Sequence, residues 1–239
     1  MALDRKTLKI PDPFLQAGRK ALALMDRSSR RWAPVLVLGV AALVAVFLYD
    51  WWHDRKLTHQ TKALYEAASD KSPEKWNRVK AFVDQHGVTE RPGYVGATQL
   101  ADHYFDEAKK VAIQENAVTD GVKKSGSDAV QWYLRALEFK GLIPVEKQLL
   151  QIQLASTKEL MGLWDEAVAE YEKAGAMPGE AKGLAMLGVG RAYELKGLVD
   201  KAIATYEKAS VDFQGDEYGR MARNQVRRLK SHLWENSTK

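Results

Sequence analysis

The most uniform hydrophobic stretch of the chain runs from Trp32 to Tyr49, eighteen residues without a charged side chain. At about 1.5 Å of rise per residue, a helix of this length covers about 27 Å, close to the hydrocarbon thickness of a bilayer. Trp32 lies at one end, and Tyr49, Trp51 and Trp52 lie at the other, as aromatic residues do at membrane interfaces. The pattern predicts a transmembrane helix over residues 32–52. The alternative, a buried core helix, would carry more polar positions at this length.

This segment is predicted to remain in the protein as an anchor. A cleavable signal has a short basic head, an apolar stretch of about 7–15 residues and small residues at the cleavage site. Here more than thirty residues precede the apolar run, and aromatic residues and aspartate follow it. The first twenty positions beyond Tyr49 contain only three basic residues, Arg55, Lys56 and Lys62, whereas residues 1–33 contain eight. Since basic residues stay on the cytoplasmic side, we expect a cytoplasmic N-terminus, with everything after Tyr49 on the far side.

The charge balance follows the same division. Residues 1–33 hold eight of the 36 basic and three of the 31 acidic side chains, so residues 34–239 hold 28 of each and carry no net charge. Nucleic-acid binding would place the basic excess on the folded domain, so no nucleic-acid partner is expected. The basic cytoplasmic segment 1–31 suits an anionic leaflet. It forms either an amphipathic helix on the membrane surface, beginning at Pro13, or an unstructured head.

Beyond the anchor, apolar positions recur at intervals of three and four, and proline and glycine fall between the apolar stretches. This pattern predicts an all-α protein, with a helical repeat domain over residues 53–214 and a closing helix and tail over 215–239. The expected elements before the clearest repeats are a hairpin of Leu57–Ser69 and Pro73–His86, a helix from Tyr94 to Asn116, and a linker over 121–128 that leads into a helix from Ala129.

Two segments of the domain repeat each other. GLWDEAVAEYEKA, from Gly162 to Ala174, returns as GLVDKAIATYEKA, from Gly197 to Ala209, at an offset of 35 residues and with most positions identical. The shared set Gly–Leu–x–Asp–x–Ala–x–x–x–Tyr–x–x–Ala resembles the second half of a tetratricopeptide repeat. We expect the alanines to let helices approach closely, the tyrosines to fill the space between hairpins, and the glycines to end the first helix of each hairpin. The resemblance implies an α-solenoid of helical hairpins.

No arrangement of catalytic type stands out. The five histidines are scattered, and His103 and Glu107, one helical turn apart, supply only two of the ligands that a zinc site needs. Gly121 and Gly126 have the spacing of a phosphate-binding loop but lack its lysine and its preceding strand. We therefore expect a protein that is not an enzyme and has no cofactor and no metal.

The candidate functional surface is the inner curve of the solenoid, lined by the first helix of each hairpin. It is more apolar than a groove built for charged tails, which indicates capture of an apolar or partly unfolded polypeptide segment. The alternative is that the closing helix or the early helices of the domain pack into it. By repeat register, the groove residues are Leu149, Ile152, Ser156, Glu159, Leu160, Leu184, Leu187, Arg191, Glu194 and Leu195.

The order of elements resembles the ancillary Sec-translocon subunit family. A basic head and one membrane helix lead into TKALYEAA (61–68), YVGATQLADHYF (94–105) and the two clear repeats. The resemblance implies a single-pass protein of the bacterial inner membrane with a periplasmic C-terminal domain. Its expected partners are translocon subunits, a membrane-anchored periplasmic chaperone and nascent polypeptide. The alternatives are a scaffold of another envelope machine, such as cell division or envelope assembly, and a self-assembling structural membrane protein. The oligomeric state stays open.

Overall fold

The computed structural model of the protein describes residues 13–237, and the side chains of Val35 and of residues 37–231. The described residues form helices joined by turns, without a strand, so the all-α prediction is confirmed. The chain divides into two compact units between Thr58 and His59. The helices are α1 (Pro13–Ser69), α2 (Lys75–His86), α3 (Arg91–Glu115), α4 (Asp120–Leu137), α5 (Pro144–Leu160), α6 (Trp164–Ala176), α7 (Lys182–Leu195), α8 (Val199–Asp212) and α9 (Glu217–Ser237).

Helix α1 contains a segment, Val37–Ser69, that is long and apolar enough to cross a membrane. Its most apolar stretch of 18 residues has a mean hydropathy of 1.3, and none of that stretch is buried. Leu43 and Phe47, for example, are 72% and 69% exposed. Such a helix has no favourable place in water unless its apolar surface is covered, and a bilayer covers it.

The predicted separate helix beginning at Leu57 is wrong in its start, because α1 runs without a break to Ser69. No glycine or proline occurs between Asp50 and Ser69, so nothing in this stretch ends the helix. The helix ends where Asp70 accepts hydrogen bonds from the backbone N–H and the hydroxyl of Ser72, at 2.9 and 2.8 Å. The change from apolar to polar sequence after residue 52 therefore does not mark the end of a helix.

Glycine ends the first helix of each clear repeat, as the sequence predicts. Gly162 has a φ of 76° and Gly197 a φ of 80°, values that cost other residues a clash at Cβ. Around Gly162, the N–H of Leu163 donates to the carbonyl of Lys158 at 2.9 Å, and the N–H of Gly162 donates to that of Glu159 at 3.0 Å. This is the Schellman arrangement, and the same pair of bonds occurs at Gly197. The result is two hairpins, α5–α6 and α7–α8.

Small residues and tyrosines set the spacing of the helices. Ala167 and Ala202 are fully buried, and the helices of each hairpin pack together around them. Tyr171 of α6 lies against Gly188 of the next hairpin, where a Cβ would come within 2.4 Å of the tyrosine ring. Tyr206 of α8 lies against Gly190 of its own hairpin. Each helix from α2 to α8 also packs on the helix that follows it.

A buried amide fixes the connection between the two hairpins. The side chain of Gln148 in α5 has no exposed surface. It donates to the carbonyl of Ala174 at 2.9 Å and accepts from the N–H of Ala181 at 2.9 Å. The bond to Ala181 satisfies a buried backbone N–H of the α6–α7 connection, and the bond to Ala174 adds a second donor to a carbonyl that also accepts from the N–H of Met177 at 3.1 Å. The amide therefore holds the second hairpin in register on the first.

The predicted linker over 121–128 is wrong, because these residues form the first half of α4. Val122, Gly126 and Ala129 are buried on one stripe at spacings of four and three. A Cβ at Gly126 would come within 2.5 Å of the Met161 side chain. The glycine therefore allows α4 to pack close to the end of α5, and it does not form a turn. The connection between α3 and α4 is instead the short turn 116–119.

The predicted closing helix is present as α9. Asp216 precedes it and accepts a hydrogen bond from the N–H of Gly219 at 3.0 Å, as an N-cap residue does. Ala222 and Leu229 are buried against α7 and α8 in one cluster with Leu187 and Tyr206. This helix therefore covers the last apolar surface of the second hairpin.

Candidate binding groove

Five of the ten predicted groove residues surround a single cleft between α5 and α7, with a volume of about 310 Å³. Two further residues complete its lining, Gln153 of α5 and Tyr171 of α6. We call this cleft the inner cleft. Its predicted residues are Leu149, Ile152, Ser156, Leu184 and Arg191.

The apolar wall of the inner cleft comes from both hairpins. Leu149 of α5 is 44% exposed, Leu184 of α7 is half-buried, and Ile152 is buried beneath them. Leu149 keeps much of its apolar surface in water while it lines a concave site. An apolar group that entered the cleft would remove that surface from water.

The polar wall is one connected network centred on Tyr171. The Tyr171 hydroxyl donates to Glu159 Oε2 at 3.1 Å and accepts from Arg191 Nη2 at 2.8 Å. Arg191 Nε donates to Glu159 Oε1 at 2.7 Å. Ser156 Oγ lies 2.8 Å from the same hydroxyl and, because the tyrosine proton is already used, serine is the donor. The network ties together α5, α6 and α7.

Burial sets the electrostatic character of this network. It raises the pKa of Tyr171 to about 12, with a further contribution from the Glu159 carboxylate and an opposing one from Arg191. The hydroxyl therefore stays protonated at neutral pH. Burial alone would lower the pKa of Arg191, but its bonds to Glu159 and Tyr171 outweigh burial and the pKa is raised. The Glu159 side chain is 11% exposed and that of Arg191 is 48% exposed.

The remaining predicted residues lie outside the inner cleft. Both carboxylate oxygens of Glu194 accept hydrogen bonds from Nη2 of Arg228 in α9, at 2.7 and 2.6 Å. Leu187 is buried with Leu229 of the same helix. At this end the closing helix covers the surface, which is the alternative that the sequence left open. Glu159 belongs to the polar network, Leu160 is half-buried at the end of α5, and Leu195 is 50% exposed at the end of α7.

The repeat tyrosines have a polar role in addition to the packing role that the sequence predicts. Tyr171 bonds to Glu159, an acid on the first helix of its own hairpin. Tyr133, at the matching position of α4, donates in the same way to Asp102 of α3 at 2.6 Å. The two acids lie at different places in their helices, Glu159 in the last turn of α5 and Asp102 near the middle of α3, so no fixed repeat position identifies them.

A larger cleft, of about 570 Å³, lies between α6 and α8 on the surface of α7. Its lining includes Met186, Val189 and Tyr193, while charged residues such as Lys208 and Asp212 pair with each other at 3.0 Å on one helix. Several polar side chains converge in the inner cleft, as recognition sites require. We therefore treat the inner cleft as the functional candidate.

The histidine noted in the sequence has a packing role in the structure. The His103 ring stacks on Trp76, with ring centroids 4.1 Å apart, and its Nε2 lies 3.3 Å from Glu107. Burial lowers the pKa of His103. Among residues 37–231 no three histidine, aspartate or glutamate side chains come close enough together to hold a metal ion.

The geometry of the inner cleft is the basis for a functional assignment, since similarity to known proteins supplies none. No protein-family model, no curated protein and no solved structure matches this chain.

Proposed function

We propose that the protein is a membrane-anchored, non-enzymatic scaffold that binds polypeptide segments in the inner cleft. In this proposal the basic head lies in the cytoplasm and the tetratricopeptide-like helical domain lies in the periplasm. Its partners are subunits of the Sec translocon, a periplasmic chaperone and emerging polypeptide. The observation that carries the proposal is the inner cleft itself, which combines exposed leucine with a fixed set of hydrogen-bond donors.

Two properties of the chain support this location. Residues 37–69 supply one helix able to cross a membrane, and the excess of basic residues lies before it, which favours a cytoplasmic N-terminus. Attachment to the membrane would concentrate the cleft where polypeptides emerge, so that individually weak contacts suffice.

The topology has a direct test because the chain contains no cysteine. Single cysteines at Thr7 in the head and at the exposed Lys140 would be treated with a membrane-impermeant maleimide in cells with a permeable outer membrane. We expect labelling at position 140 in intact cells and at position 7 only after lysis. The reverse pattern would refute the periplasmic location.

The binding role is tested by photo-crosslinking from the cleft. A photoreactive residue at Leu149 would be compared with one at Leu134, which is 49% exposed on α4 and does not line the cleft. We expect polypeptide adducts from position 149 well above those from position 134. Equal yields at the two positions would contradict the assignment of the cleft.

The translocon partnership needs a separate experiment. The full-length protein would be purified from detergent-solubilised membranes and its co-purifying proteins identified. We expect the subunits of the protein-conducting channel among them. Consistent recovery of a different envelope complex, without channel subunits, would replace the translocon by another envelope machine and leave the scaffold role in place.

A further inference from the structure

The inner cleft contains one charged lining residue, Arg191, among the described residues. Its charge is already balanced, because Glu159 lies directly against the guanidinium on the side away from solvent. Resting on the proposed function, we infer that the cleft selects uncharged polypeptide segments, in which an aliphatic side chain adjoins a free main-chain carbonyl, and that it rejects acidic segments.

Arg191 has donors left for a ligand. A guanidinium carries five N–H groups. Two of them serve the bonds of Nε to Glu159 and of Nη2 to Tyr171. Three N–H groups remain, on a side chain that is 48% exposed and lines the cleft. The remaining donors fit an acceptor oxygen, and the planar group presents them without further ordering of the side chain.

The sign of the local charge decides which acceptor is favoured. A carboxylate on the free side of Arg191 would be attracted by the guanidinium, but it would first lose much of its hydration. The Glu159 carboxylate, about 6 Å away, repels it and cancels much of the attraction that would offset this loss. Since the side chain of Glu159 is 11% exposed, water screens this repulsion only partly. A peptide carbonyl accepts the same hydrogen bond without bringing a second negative charge. A lysine or arginine in the ligand would instead meet the exposed guanidinium.

The apolar wall defines the other half of the ligand. Leu149 and Leu184 come from consecutive hairpins and line the cleft beside the polar network, with Ile152 beneath them. The cleft is at the small end of the range for ligand sites. It therefore fits one aliphatic side chain with its adjoining peptide group rather than a folded surface. Segments of this kind are exposed in polypeptides before they fold.

The test uses the full-length protein in a non-ionic detergent and three short fluorescent peptides. The peptides differ at one position, which follows a central leucine and is serine, aspartate or lysine. Fluorescence anisotropy gives their affinities. We expect the serine peptide to bind about tenfold more tightly than the aspartate peptide, the scale of one unfavourable charge contact.

The variant Glu159→Gln removes the balancing charge and keeps a side chain of the same size. We expect the aspartate peptide to gain about tenfold in affinity while the serine peptide changes little. Glu194→Gln is the matched control, since Glu194 is also paired with an arginine but lies outside the inner cleft. It should leave the ratio of affinities unchanged.

The outcomes separate the inference from the proposed function. Tightest binding of the aspartate peptide by the wild-type protein, or an unchanged ratio in Glu159→Gln, would overturn the charge selection while peptide capture stands. Failure of all three peptides to bind at protein concentrations up to about 1 mM, which reach the weak affinity expected of one buried side chain and one hydrogen bond, would overturn peptide capture itself. If Glu159→Gln does not fold, a salt titration of the wild-type protein decides the matter. Affinity for the serine peptide should then be independent of salt, and a strong loss with salt would overturn the inference.

Discussion

A methyl group added at Gly188 tests the packing on which the inner cleft depends. A Cβ at this position of α7 would come within 2.4 to 2.6 Å of three ring carbons of Tyr171. The ring cannot swing away freely, because Tyr171 is 1% exposed and its hydroxyl is held by the network of Ser156, Glu159 and Arg191. Gly188→Ala therefore forces either the ring or the backbone of α7 to move.

The expected magnitude is the difference between two opposing effects. Overpacking a well-filled core costs about 1–3 kcal/mol, whereas replacing glycine by alanine inside a helix contributes about 1 kcal/mol of stability. Contacts of 2.4 to 2.6 Å place the overpacking cost at about 2–3 kcal/mol, in the upper part of its range. We therefore expect Gly188→Ala to lower the free energy of unfolding by about 1–2 kcal/mol. The matched control is Gly175→Ala in α6, where the nearest atom to a Cβ would be Ala185 Cβ at 3.9 Å, an ordinary contact. That variant should be as stable as the wild-type protein or slightly more stable.

Denaturant unfolding of the full-length protein in detergent, followed by far-ultraviolet circular dichroism, measures both variants. A double-mutant cycle with Tyr171→Leu isolates the contact, because the cost at Gly188 should shrink when the ring is absent. If Gly188→Ala is as stable as Gly175→Ala, the ring does not occupy the place that the structure gives it, and the network built on its hydroxyl is wrong as well.

Three further predictions concern the repeat domain. Gln148→Leu leaves the buried N–H of Ala181 without a partner and should cost about 2 kcal/mol in the free energy of unfolding. Gln153→Leu at an exposed position should cost less than about 0.5 kcal/mol, and equal effects of the two variants would refute the amide's role. Gly197→Ala should cost about 1 kcal/mol through its positive φ alone, and Gly197→Asn should cost less, so a stable alanine variant in the same unfolding assay would contradict the turn geometry. Burial raises the pKa of both Tyr171 and Tyr206 to about 12, from about 10 in the unfolded chain. The stability that this gives should be complete below about pH 10 and should fall by about 1.4 kcal/mol per pH unit per tyrosine towards pH 12. Tyr206→Phe should reduce that slope, and an unchanged slope would count against the burial of Tyr206.

The two clear repeats could be located from sequence because each of their elements has a local cause. Glycine at 162 and 197 ends a helix through its own backbone freedom, and alanine at 167 and 202 permits close approach whatever the neighbour is. The start of α4 could not be recognised in the same way. Its buried stripe includes Gly126, a residue that ordinarily indicates a turn, and only the proximity of α5 explains why glycine is favourable within that helix.

The continuity of α1 could not be predicted from the hydrophobic pattern either. The pattern changes from apolar to polar after residue 52, but hydrophobicity indicates the surroundings that a side chain favours and not where a helix ends. The end of a helix is determined by caps and helix breakers, and the first of these after the apolar run are Asp70 and Pro73. The positions of these helix breakers alone therefore predict an end of the helix near Ser69.

The inner cleft was partly predictable, and the part that was missed lies on other helices. The repeat register places Leu149, Ile152 and Ser156 on one face of α5, and the structure brings them together with residues of α7. Tyr171 was missed because it comes from the second helix of the hairpin. Arg228, which pairs with Glu194, lies in a helix outside the repeat, so no register argument could connect the two residues.

The two glutamate–arginine pairs show how one repeat position serves two purposes. Glu159 and Glu194 are equivalent in the repeat, and each binds an arginine on the helix that follows its hairpin, Arg191 of α7 and Arg228 of α9. The partner of Glu159 lines an open cleft, whereas that of Glu194 belongs to the closing helix. Under the proposed function, recognition is therefore confined to the region between α5 and α7. Such a cleft binds weakly, since one buried aliphatic side chain contributes about 1.5–3 kcal/mol and one hydrogen bond about 1 kcal/mol before the cost of association. An affinity of that order is useful only at millimolar concentrations of ligand, and tethering beside the source of the ligand provides concentrations of this kind. Under the proposed function, the neutral cleft and the membrane anchor therefore depend on each other: an untethered domain, expressed without residues 1–52, should lose crosslinking from Leu149 even when it is folded.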